Sequence, residues 1–228
     1  MAITITRLSR SSWFKITWGS TIVHLDPGYG GFLENVGLPM KELEPDADII
    51  LISHGHQDHV REEVLNRIIS PATTIVCPPE TAIAPKFKVT LAHPGQTMDL
   101  EGISVEIIDA YNTPSGHSTR KYHPKGFGVG YIITIGGLRL YHGGDTDVID
   151  EMSRASGVDV AFLPVGATYT MDLGEAIDAL AIIKPKLFIP MHEFDLANEA
   201  IKTTLDKQCP CPYRLMRVGD AISFPMGD

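Results

Sequence analysis

Residues 53–59, Ser-His-Gly-His-Gln-Asp-His, constrain this chain more than any other stretch, because they stand directly behind the apolar run Ile49-Ile50-Leu51-Ile52. That run has the length of a strand and no polar alternation, as for a strand covered on both faces. In extended chain, residues two apart point the same way. His54 and His56 can therefore reach one ion together, with only Gly55 between them. Asp58 and His59 follow after the chain turns toward a helical pattern over 60–69, where they can face a second ion. Imidazole and carboxylate suit zinc, manganese or iron, and the absence of thiolate removes the strongest bias to zinc. The segment predicts a metal centre at the carboxyl end of a buried strand.

The rest of the chain supplies the scaffold. Short β runs come first ("AITITRL", "WFKITW", "STIVHLD"), bounded by Gly, Ser and Pro. "REEVLNRII" carries apolar residues at 64, 65, 68 and 69, the spacing of a helix face. "TTIVC", "ISVEIIDA", "GVGYIITI", "LRLYHG" and "DVAFLPV" read as further strands. "MDLGEAIDALAIIKP" is the clearest helix, with Asp172 as its cap, Glu175 three residues on and Pro185 just past its end. "KLFIPM" is the last strong strand and "DLANEAIKTTLD" the last helix. Strands followed by mixed strands and helices predict an α/β layered fold. No linker composition interrupts residues 1–228, so one domain is expected. Asp145 and His192 also follow predicted strands, at 138–142 and 186–190, and sites in open α/β sheets gather beyond strand carboxyl ends.

"SHGHQDH" resembles the signature of the metallo-β-lactamase superfamily. "HPKGFGVGYIITIGGLRLYHGGDTD" and "FLPVGATYTMDLGEA…IPMHE" resemble its branch of metal-dependent hydrolases that includes the L-ascorbate-6-phosphate lactonases. The resemblance runs from Asp26 in "HLDPG" to His192. It implies a four-layer αββα sandwich with two divalent ions, zinc foremost and manganese or iron as alternatives. By the same resemblance, His54, His56 and a later histidine would hold the first ion. Asp58, His59 and His192 would hold the second, Asp145 would bridge both, and Asp26 would lie behind the ligands or cap the Pro27-Gly28 turn. Oxygen-reducing relatives carry a glutamate where His56 stands, and the lactamases a cysteine where Asp145 stands, so neither activity is expected.

Two assignments need argument. Asp147 competes with Asp145 for the bridge; Asp145 is favoured because Gly143-Gly144 let the backbone approach the ions and the family pattern places the ligand there. His117 and His123 compete to be the first ion's third ligand. His123 stands directly before the glycines that enter a strand, where the backbone can hold it rigidly. It also matches the family's position, which leaves His117 at the pocket mouth. His24 reads as a structural histidine.

The implied chemistry is hydrolytic. Two ions sharing a water lower its pKa toward neutrality, giving hydroxide for attack on a carbonyl or phosphoryl centre. Asp58 or a metal-bound water would return a proton to the leaving group. The branch favours a small ester or lactone, with phosphorylated ones included. A phosphodiesterase and a non-catalytic metal-dependent sensor are the rivals. His117, Arg120, Lys121 and Tyr169 are the expected substrate contacts, three of them from the polar loop 110–128. A net charge of −9 argues against a nucleic-acid backbone as main partner. No apolar run is long enough for a membrane span, and the opening residues lack the charged head and long apolar middle expected of a signal peptide. Three cysteines, Cys77, Cys209 and Cys211, are expected as free thiols in a reducing cytoplasm.

Overall fold

The computed structural model describes residues 2–225 apart from 36, 39, 82, 84, 85 and 194–197. Its contacts divide the chain into two compact units, 1–92 with 216–228, and 93–215. Each is built on one sheet, so the expected α/β architecture of two sheets with helices is present.

The first unit carries seven strands: β1 (Ala2–Arg7), β2 (Phe14–Trp18), β3 (Thr21–Leu25), β4 (Ala47–Leu51), β5 (Ile69–Cys77), β6 (Val89–Leu91) and, from the far end of the chain, β13 (Ala221–Pro225). Their order is β13-β1-β2-β3-β4-β5-β6. β13 through β3 are antiparallel, and β3 through β6 are parallel. β4 is the fully covered strand that its composition predicts, with Ile49, Ile50 and Leu51 each at most 1% exposed. Helix α1 (Glu62–Ile68) buries Val64, Leu65 and Ile68 against Ile50, Ile52 and Ile75.

The second unit repeats this logic. Strands β7 (Thr97–Leu100), β8 (Ile103–Ala110), β9 (Gly128–Ile135), β10 (Leu138–His142), β11 (Val160–Pro164) and β12 (Leu187–Met191) lie in the order β12-β11-β10-β9-β8-β7. β7 to β10 are antiparallel, and β10 to β12 parallel. Helix α2 (Leu173–Ile183) begins where expected: Asp172 Oδ1 accepts the Glu175 N–H at 2.8 Å, a cap worth about 1 kcal/mol. Its buried stripe is Ala176, Ala179, Leu180 and Ile183, packed on the Phe188 and Leu163 cluster. Helix α3 (Asn198–Gln208) contributes Ile201 and Leu205 to the same core.

In both sheets the parallel half matters for function. β3 and β4 end side by side, so Asp26 and the histidine segment leave the same edge. β10, β11 and β12 do likewise for Asp145, the segment 165–170 and His192. Asp26 and His192 both adopt left-handed backbone, at φ 46° and 58°, immediately after their strands. Non-glycine residues rarely do so, and such strain concentrates at functional positions. Among the described residues no helix is long and apolar enough to cross a membrane.

Candidate metal centre

In the first unit the histidine segment leaves β4 as two adjacent pairs of candidate ligands. His54 Nε2 and His56 Nδ1 stand 3.1 Å apart. Two donors each ~2.1 Å from one tetrahedral ion would be ~3.4 Å apart, so this spacing fits a shared ion. His59 Nε2 lies 3.7 Å from Asp58 Oδ2, the second pair. The His54 and His59 rings lie 3.9 Å apart between centroids, tilted by 46°, which keeps the pairs contiguous.

What lies behind these rings decides which nitrogen is available. Asp26 Oδ1 accepts the Ser53 N–H at 2.6 Å, and Oδ2 accepts the Ser53 hydroxyl at 2.7 Å. Oδ2 also takes His59 Nδ1 at 2.7 Å. The Ser53 oxygen, having given its proton to Asp26, is left to accept His54 Nδ1–H at 3.0 Å. Both rings are thereby assigned the Nδ1–H tautomer, with Nε2 as a lone-pair donor. Ser12 Oγ stands 2.8 Å from His59 Nδ1, and Ser11 Oγ donates to Asp58 Oδ2 at 3.3 Å. Buried Arg7 holds the segment that carries them: its guanidinium donates to the carbonyls of Ser9, Arg10, Ser11 and Met216. Asp26 thus lies behind His59 and Ser53, and its backbone carbonyl also accepts Gly28 N–H at 2.7 Å. A Cβ on Gly28 would meet Val60 N at 2.5 Å, so only glycine lets this turn lie against the ligand segment.

Asp26→Asn tests this support, since asparagine tolerates left-handed backbone. It should fold, yet weaken metal affinity by about 10–100-fold, the usual effect of losing a ligand's outer partner. Competition against a chromophoric chelator measures it; wild-type affinity in the variant would remove Asp26 from the account.

The second unit assembles its own ligand group. Asp145 Oδ2 lies 3.4 Å from His123 Nε2 and 3.3 Å from His192 Nε2, and all three residues are buried. His123 Nδ1 is 3.2 Å from both Asn112 Oδ1 and the Tyr169 carbonyl. Both are acceptors, so this ring too carries its proton on Nδ1 and presents Nε2. Gly166 lets β11's exit approach the His192 turn: a Cβ there would meet His192 O at 2.6 Å.

The competing residues sit elsewhere. Asp147 is fully buried and accepts Thr113 N–H, Asn112 Nδ2 and the Lys121 ammonium at 2.8, 3.2 and 3.0 Å. It clasps the loop. His117 is 61% exposed and pairs through Nδ1 with Asp172 Oδ2 at 2.9 Å. Asp172 raises the His117 pKa. Two expected substrate contacts are therefore otherwise engaged, because Lys121 also donates to Gly116 O and Ser118 Oγ, which occupies its three N–H groups. Arg120 and Tyr169 stay together: Arg120 Nη1 donates to the Tyr169 hydroxyl at 3.2 Å, and Tyr122 stacks on Tyr169 with centroids 5.4 Å apart. Arg120 N–H also bonds Thr168 O at 2.8 Å, which fixes this group beside the Tyr169 carbonyl that holds His123. Neither the Asn112 support nor the Ser11–Ser12 support was read from sequence, where isolated polar loop residues carry no pattern.

His24 is structural, as its position implied. It is fully buried, accepts Trp13 Nε1–H at 2.9 Å and contacts Asp46 at 3.2 Å, and burial lowers its pKa. Cys77, Cys209 and Cys211 are free. Burial, then the neighbouring Cys209, pushes the Cys211 thiol up to about 12.

The chain is similar to known proteins in sequence and in fold. The profile of the beta-lactamase superfamily domain matches residues 4–192. A UPF0173 metal-dependent hydrolase of Archaeoglobus fulgidus is 34% identical over 196 residues, covering 78% of this chain and 82% of that protein. A candidate metal-dependent hydrolase from Parabacteroides distasonis, solved by crystallography, matches with TM-score 0.81 and 30% identity over 96% of this chain and 94% of its own. The metallo-beta-lactamase fold protein YhfI of Bacillus subtilis matches with TM-score 0.77 over 98% and 99% at 12% identity, a likeness of fold alone. Two sheets with their helices, a superfamily profile over most of the length and a relative at this identity lead to one assignment: the chain belongs to the UPF0173 family of metal-dependent hydrolases, within the metallo-β-lactamase superfamily.

Proposed function

We propose that residues 1–228 act as one functional domain, a dinuclear metal hydrolase of a small ester or lactone bearing an anionic group such as phosphate. The observation that carries the reading is the locked tautomer of His54, His59 and His123, each with Nδ1 held by an oxygen and Nε2 left as a lone pair. A chance group of histidines has no reason to be ordered in this way, whereas ligands of a catalytic ion are. His54, His56 and His123 are assigned to one ion, Asp58, His59 and His192 to the other, and Asp145 to both. Bound there, two divalent ions supply Lewis acidity and a nucleophile from water at neutral pH.

The chain's own groups do the rest. Asp58, partly exposed and hydrogen-bonded by Ser11, holds the proton released from water and delivers it to the leaving oxygen. Arg120 and the Tyr169 hydroxyl bind the substrate's anion, with Tyr122 beside them. The ester or lactone preference rests on the likeness of residues 123–147 and 162–193 to the lactonase branch. Three free thiols suit a reducing compartment such as the cytoplasm. A panel of phosphorylated and plain lactones, with phosphodiesters alongside, tests the proposal on zinc- or manganese-loaded protein. Turnover of a lactone, abolished by chelator and restored by metal, is expected. Turnover of phosphodiesters alone would replace the substrate class, and turnover of no member by fully loaded protein would favour a sensor.

A further inference from the structure

We propose that His117, Asp172 and Glu175 form a separate site for one divalent transition-metal ion, at the first turn of α2. One ligand atom from each of the three lies within 4.8 Å of the others. Asp172 divides its carboxylate between two tasks: Oδ1 caps the Glu175 N–H, and Oδ2 stands 2.9 Å from His117 Nδ1. Glu175 does something the helix cap does not explain. Among the described residues its buried Oε2 has no hydrogen-bond partner. The residue is only 7% exposed. A buried carboxylate oxygen left unsatisfied costs about 1–3 kcal/mol or more, and burial raises the Glu175 pKa accordingly. A cation held between Oε2, Asp172 and the imidazole removes that deficit.

The donor set selects the ion. One imidazole with two carboxylates suits zinc or manganese, whereas calcium takes six to eight oxygens. Two carboxylates outweigh the unfavourable positive end of the helix dipole, worth about half a charge. His117 is mostly solvent-exposed, so water completes the coordination and the ion exchanges readily. The site would tie α2 to the loop that carries Asn112, Arg120 and His123. It shares no ligand with the centre proposed above.

Zinc chloride is the probe. Protein loaded with zinc and desalted is titrated with zinc against a chromophoric indicator, in parallel with Glu175→Gln and His117→Ala. Wild type should take one equivalent more than either variant. Because the count is a difference, it does not depend on how many ions the other ligands hold. His117 projects into solvent, so its replacement leaves folding intact even if Glu175→Gln does not. Equal uptake by all three proteins overturns the site, and so does a loss confined to Glu175→Gln, which a folding defect would explain.

Discussion

Asp145→Ala is expected to lower kcat/KM on the order of a thousand-fold while leaving the thermal transition nearly unchanged. The size follows from the several kcal/mol that metal polarisation contributes to a hydrolytic transition state, at 1.36 kcal/mol for each factor of ten. Asp145 Oδ2 is the oxygen that faces both His123 and His192, so on the proposed assignment its loss removes the ligand common to both ions. Asp147→Ala should give the opposite profile. Its carboxylate satisfies Thr113 N–H, Asn112 and Lys121, so removal should cost about 1–3 kcal/mol of stability, moderated because Lys121 can turn to water. Metal affinity should change little. Parallel measurements of activity, chelator competition and thermal unfolding on the two variants decide the matter. A destabilised Asp145→Ala beside an inactive but stable Asp147→Ala would reverse the assignment.

The second large effect separates two histidines six residues apart. His123→Ala should lose nearly all activity and one ion of the proposed dinuclear centre, because a buried, tautomer-locked ring is removed from beside Asp145. His117→Ala should keep both of those ions, with any kinetic change confined to KM. Elemental analysis of the desalted variants, with steady-state kinetics, checks the pair. Retention of both ions in His123→Ala, or loss of one of them in His117→Ala, contradicts the ligand choice.

Legibility in the sequence followed pattern strength. β4 could be read because an unbroken Ile-Ile-Leu-Ile run has one good home, and α2 because its cap and its apolar spacing agree. β6, β7 and β13 went unread: they are short or exposed along alternate positions, and only their neighbours make them strands. The first unit closes by pairing β1 with β13, a contact between the two ends of the chain that no local pattern signals. At the site the same rule holds. His54, His56, Asp58 and His59 announce themselves by spacing, and the choice of His123 followed from its place beside a strand entry. A loop lysine such as Lys121 looks like a free cation in the sequence; its ion pair with Asp147, 26 residues away, has no local signal. Asp26 was ambiguous between turn and support; it serves both, through its backbone carbonyl and its carboxylate respectively.

The central claim is that seven side chains hold two ions. Anomalous scattering at the zinc edge, on crystals of zinc-loaded protein, addresses it most directly. The account predicts two peaks among these ligands, one bonded to His54, His56 and His123, the other to Asp58, His59 and His192, with Asp145 reaching both. A single peak among them at full zinc occupancy, or His123 turned away from both, would contradict it.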